Sequence, residues 1–133
     1  MKCNVIATAV LFVYIFVFEW VFHGVILADM YQSTAQLWRS EEAMMEKLGW
    51  MIAGQALIAI FLVQIFRHLQ SNAVKIGALL GALYGSAQLV MYSVAPYPLG
   101  LTLIWIVGGI VEYTLAGVLF CWMVNRKSCA AQK

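Results

Sequence analysis

Charge is scarce in this sequence. Asp, Glu, Lys and Arg make up 11% of its 133 residues and 64% are hydrophobic, whereas soluble domains carry roughly a quarter charged residues. So little polar surface cannot clothe a water-soluble fold. The eight Lys and Arg residues are spread over short segments, which offers no basic face to a nucleic acid. Proline occurs twice, both times in Ala95-Pro96-Tyr97-Pro98, so helices elsewhere can run uninterrupted. The three cysteines, Cys3, Cys121 and Cys129, form no Cys-x-x-Cys motif, and neither a dithiol centre nor a disulfide is expected. No Gly-x-Ser-x-Gly turn occurs, and Ser86 and Ser93 have no histidine at a predictable distance. The chain therefore reads more as a non-enzyme than as a hydrolase. No small-x-small cleavage site follows the apolar start, which predicts a retained signal-anchor helix rather than a secretory signal.

What the chain does have is long apolar runs. At about 20 residues per crossing, they predict four helices, at about 5–27, 41–66, 74–94 and 99–124. The runs are too long and too continuously apolar for the short alternating strands of a membrane barrel. The expected fold is all-α, a single membrane domain over 1–133 built as an antiparallel four-helix bundle. Lys2, Arg67, Lys75, Arg126, Lys127 and Lys133 fall at one end, whereas the first loop is mostly acidic, with Asp29, Glu41, Glu42 and Glu46. By the positive-inside rule both termini are then cytoplasmic, as in a multi-pass protein of the bacterial inner membrane.

Punctuation supports these bounds. Ser40 is placed to cap a helix whose first turn holds Glu41 and Glu42. The two prolines end the third helix, Asn125-Arg126-Lys127 stops the fourth, and the tail 128–133 is expected to be disordered. The polar stretch 28–40 reads as a solvated connector, although Tyr31 and Trp38 and a helical spacing of Met30, Thr34 and Leu37 also suit an interfacial segment. Gly77, Gly81 and Gly85 recur every four residues, a small-residue face that admits a second helix backbone. Gly108 and Gly109 are the matching small positions in the fourth helix. The aromatic residues of the first helix, Phe12, Tyr14, Phe16, Phe18, Trp20 and Phe22, read as lipid-facing.

Against this apolar background the polar residues stand out. Glu19 and His23 are four residues apart, on one face of the first helix. Counted at 1.5 Å per residue, His23 lies about 6 Å from the outer helix ends, Gln55 and Gln88 about 10 Å, Glu19 about 12 Å, Tyr84 about 15 Å and Glu112 about 18 Å. Each helix thus brings a polar group to the outer half, where unpaired groups are costly and a shared cluster is expected. Three uses are open for it. The favoured one is a polar seam that fixes helix register in a structural or accessory membrane subunit, with a larger membrane complex or a second copy of the chain as partner besides the bilayer. The alternative is a proton-coupled small-solute transporter in which Glu19 and His23 exchange a proton. The third is a metal site on Glu19, His23 and Glu112, a donor set that iron or zinc would accept. His68 belongs to the opposite end, so one chain cannot give a haem two histidines, and no cofactor is expected.

In length, helix count and the acid of its first helix the chain is loosely similar to the small multidrug resistance transporters, which implies a proton-coupled carrier. Its segment Glu19-Trp20-x-x-His23-Gly24, followed by Asp29, Tyr31, Thr34 and Leu37-Trp38-Arg39, also resembles small bacterial inner-membrane proteins to which no activity is assigned. That second resemblance implies that the polar stretch belongs with the Glu19 and His23 face.

Overall fold

A computed structural model describes residues 2–69 and 72–125; Cys129, the Arg126-Lys127 stop and the tail 128–133 lie outside the described residues. Among the described residues every regular element is helical, with no strand. The elements are α1 (Lys2–Val21), a π turn (Phe22–Ile26), α2 (Ala28–Ser33), a 3-10 turn (Ala35–Leu37), α3 (Glu41–Met45), α4 (Leu48–His68), α5 (Ala73–Val94) and α6 (Leu99–Asn125). Four stretches are long and apolar enough to cross a membrane: Asn4–Ile26, Leu48–His68, Ala73–Val94 and Leu99–Val124. This is the composition of a multi-pass membrane protein.

Two readings of the segment between the first and third spans need correction. The helix expected over 41–66 is two helices, because the chain turns at Glu46–Lys47, where Lys47 (φ −98°, ψ 1°) leaves the α region. The break falls where Glu-rich sequence gives way to the apolar run. Ser40 does cap α3, accepting from the Ala43 N–H at 3.3 Å. The stretch 28–40 is not a solvated connector. It folds into α2 and the 3-10 turn, buries Thr34, and lays Met30, Tyr31 and Trp38 against the apolar cluster of Leu27, Leu101 and Trp105. The hydroxyl of Thr34 accepts from Trp38 Nε1 at 2.9 Å and donates to the Met30 carbonyl at 2.7 Å, so the segment's own polar groups are satisfied while its aromatic faces turn inward.

Packing is closest between α5 and α6. Gly77 faces Tyr113, Gly81 faces Ile110 and Gly85 faces Ile106, while Gly117 faces Ala73. Rising numbers on one helix meet falling numbers on the other, so the two run in opposite senses. The absence of side chains on the glycine row lets backbone meet backbone. Gly108 receives the ring of Phe22 and Gly109 that of Tyr84. Extended backbone at Ala95 (φ −122°, ψ 146°), before Pro96, ends α5 as the proline's steric demand requires.

Three layers follow along the bundle. At the end holding the chain start, Leu11, Ile15, Ala59, Val63, Phe66, Ala73, Ala116 and Phe120 form one buried apolar cluster drawn from α1, α4, α5 and α6. At the opposite end, the Leu27, Leu101 and Trp105 cluster forms a cap. The polar residues lie between. Of the helix-one aromatics read as lipid-facing, Tyr14, Phe18 and Phe22 instead stack along the inward face of the helix. Tyr14 donates to the backbone carbonyl of Glu112 at 3.0 Å. Phe16 and Trp20 remain exposed.

Candidate functional site

The apolar layer fills one end of the bundle with side chains of α1, α4 and α6 and the start of α5. Toward the cap a cleft of about 620 Å³ lies between α1, α4 and α5. Met51 and Gln55 form its α4 wall, Tyr84, Gln88 and Met91 its α5 wall, and Phe16, Glu19, Trp20, His23 and Gly24 its α1 side, with Tyr97 and Trp105 above. Five of the six polar residues singled out by sequence, Glu19, His23, Gln55, Tyr84 and Gln88, therefore share one space. The sixth, Glu112, is 5% exposed and sits behind the cleft wall. There it borders a second small space with Glu19, His23 and Tyr84, and its carboxyl interacts side chain to side chain with that of Glu19.

Local backbone geometry presents His23. The Leu27 N–H bonds to the Phe22 carbonyl at 3.0 Å, an i→i+5 bond that widens the helix by one residue around Gly24. The helix resumes in α2, and Tyr31 comes back over His23. Single-turn π insertions of this kind are frequent at functional sites.

A hydrogen-bond chain runs through the result. Trp105 Nε1 donates to the Tyr31 hydroxyl at 2.8 Å; the same hydroxyl lies 2.5 Å from His23 Nδ1; and His23 Nε2 lies 3.2 Å from Glu19 Oε2. The roles can be assigned from the fixed donor. Indole N–H can only donate, so Tyr31 accepts from Trp105 and its own O–H is free to donate to Nδ1. A neutral His23 then carries its proton on Nε2, the nitrogen that faces Glu19 Oε2. Burial pushes the Tyr31 phenol up to about 12, with the bond from Trp105 acting in the opposite direction. Tyr31 is therefore a hydroxyl donor at any ordinary pH. The side chains of His23 and Glu19 are 31% and 32% exposed, so the chain of bonds has one face open to the cleft.

Aromatic rings hold the chain in place. Trp105 packs against Tyr31, Trp38 and Tyr97, Trp38 stacks on Tyr97 with rings 5.4 Å apart, and Phe22 meets His23 edge-on. Tyr31, Trp38, Tyr97 and Trp105 were not among the residues that the sequence pattern singled out for the site. Trp105 carried a usable signal, because a buried indole N–H inside an apolar helix needs an acceptor.

Among the described residues three buried side-chain polar atoms lack a hydrogen-bond partner, Asn4 Oδ1, Arg67 Nε and, beside the cleft, Gln55 Oε1. Gln55 is 8% exposed and lines the cleft, yet its buried Oε1 accepts no hydrogen bond. Among the described residues, no three His, Cys, Asp or Glu side chains are arranged to hold a metal ion. Comparison with protein families, curated proteins and solved structures finds no match.

Proposed function

We propose that the protein is a proton-linked carrier for a small solute, bound in the cleft between α1, α4 and α5, with Glu19 and His23 as the titrating pair. The reading takes the chain as an antiparallel bundle in the bacterial inner membrane with both termini in the cytoplasm, a sidedness supported by the basic residues at the ends of the chain. One observation carries it: the Glu19 and His23 side chains meet at 3.2 Å and both border a cleft. A seam that served only to lock helix register would have no need of a cavity beside it.

The hydrogen-bond order supports a relay. A proton arriving at the Tyr31 oxygen lets the Tyr31 hydroxyl proton pass to His23 Nδ1. The Nε2 proton then passes to Glu19, leaving His23 in its other tautomer until the ring resets. Glu19, once protonated, can donate to Glu112 behind it, and a solute in the cleft meets Glu19 in a charge state set by that transfer. Imidazole suits this role because its ordinary titration falls between pH 5 and 8.

Intrinsic fluorescence tests the reading. Trp20 and Trp105 border the same cleft as His23, so purified wild type in lipid discs should show an emission change as pH is taken from about 5 to 8. Glu19→Gln keeps shape and hydrogen bonding but cannot take up the proton, and it should lose or displace that transition while remaining folded. An identical transition in wild type, Glu19→Gln and His23→Gln would reject the pair as the titrating site.

A further inference from the structure

Two spaces meet at His23. Beside the cleft, at the capped end of the bundle, lies a second cavity of about 940 Å³, and His23 and Gly24 border both. The contacts of His23 run from one space to the other. Tyr31 lines the second cavity and not the cleft, Glu19 lines the cleft and not the second cavity, and the imidazole stands between them. The rims differ in chemistry. Around the second cavity Gln32, Arg39, Ser40 and Glu41 are exposed and lie outside the four membrane spans, so this space opens to water. The exposed residues around the cleft, Phe16, Trp20, Met51 and Met91, are apolar and lie within the spans, so that rim faces the bilayer. A hydronium ion does not cross it, because an unpaired charge in apolar surroundings is costly.

From these observations we infer that the second cavity is a water-filled inlet through which the proton reaches His23, separate from the cleft that holds the solute. A hydronium ion in the inlet gives its proton to the Tyr31 oxygen and leaves as water. Tyr31 passes its own hydroxyl proton to Nδ1 and stays a phenol, and the Nε2 proton ends on Glu19, whose carboxylate becomes neutral on the cleft side. The ionisable groups around the imidazole are Glu19 on α1, Tyr31 on α2, Tyr84 on α5, Tyr97 before α6 and Glu112 on α6, while α4 faces the cleft with Met51 and Gln55. Arg39 and Glu41 stand across the inlet. Their charges are opposite, so together they set no net barrier to a cation. This inference rests on the carrier reading, but it concerns the route of the proton rather than the pair that takes it up.

The test obstructs each space in turn. In full-length protein with Cys3, Cys121 and Cys129 replaced by Ala, Gln32→Cys with Ala35→Cys places thiols in the inlet and Met51→Cys places one in the cleft. N-cyclohexylmaleimide then adds a bulky neutral group at each. In lipid discs, a temperature jump in a buffer whose pH changes with temperature perturbs protonation, and the Trp emission follows the relaxation. Labelling the inlet should slow that relaxation roughly tenfold and leave the midpoint of the pH transition in place, because an obstructed route changes the rate of proton uptake and not its equilibrium. Labelling the cleft should leave the rate at its unlabelled value. Ala35→Cys alone repeats the comparison should the double variant fold poorly. A rate untouched by labelling the inlet, or slowed as much by labelling the cleft, would overturn the inlet while the pH transition, and the carrier reading with it, stands. Absence of any transition between about pH 5 and 8 in the unlabelled protein would reject carrier and inlet together.

Discussion

Gly81→Leu is expected to leave almost no folded protein. A Cβ at Gly81 would lie 2.5 Å from Ile110 Cα and 2.7 Å from the Gly109 carbonyl oxygen. These are backbone atoms, which cannot swing aside as a flexible side chain would. Overpacking a well-packed interior typically costs about 1–3 kcal/mol, and here the strain has no local outlet because Gly77, Gly85 and Gly117 hold the same two backbones together on either side. The α5–α6 pair would have to separate along its length, and with it the walls that carry Tyr84 and Glu112. Gly54→Leu is the control. No atom other than its immediate neighbours lies within 4 Å of a Cβ there, so this variant should match wild type in yield after detergent extraction and in thermal midpoint. Equal yields for the two variants would mean that the α5–α6 contact does not hold the fold together.

Trp105→Ala is expected to have the second largest effect. Trp105 is 8% exposed, donates to Tyr31 and touches three rings of the cap. Truncating a buried Trp to Ala costs about 3–5 kcal/mol in protein interiors. The variant should lose much of its thermal stability and release α2 and the 3-10 turn from the bundle, exposing the amide protons of residues 28–37 to hydrogen exchange. Trp105→Phe keeps a ring in the stack and removes only the donor, so it should cost about 0.5–1.5 kcal/mol and leave those amides protected. Exchange at 28–37 that is unchanged in Trp105→Ala would show that the segment is held by something other than this ring.

How much of this was legible beforehand depends on the range of the forces involved. The four spans could be read because a run of apolar residues reports its own environment without reference to any other part of the chain. The glycine row could be read as a contact face for the same reason, since Gly77, Gly81 and Gly85 repeat within one helix; that the face meets α6 could not, because no local pattern names a partner. The polar layer was visible as intrusions into apolar runs. Its arrangement was not: the cleft between α1, α4 and α5, the position of Glu112 behind Glu19 and the isolation of Gln55 Oε1 all depend on contacts between distant segments. The segment 28–40 was misjudged because its polar composition outweighed two aromatic residues. Tyr31 and Trp38 are half-buried there against rings from residues 97 and 105. The break at Glu46–Lys47 had no Gly or Pro to announce it.

The central claim is that His23 mediates proton exchange between Tyr31 and Glu19, and nitrogen NMR of the imidazole tests it most directly. The chain has two histidines, so His68→Gln leaves His23 as the sole signal in a uniformly labelled sample in lipid discs. At pH 8 the hydrogen-bond roles require a neutral ring protonated on Nε2 and bare on Nδ1. As pH falls, Nδ1 should gain a proton, and Glu19→Gln should displace that titration. A ring protonated on Nδ1 at pH 8, or one whose signals do not change between pH 5 and 8 in wild type, would contradict the account.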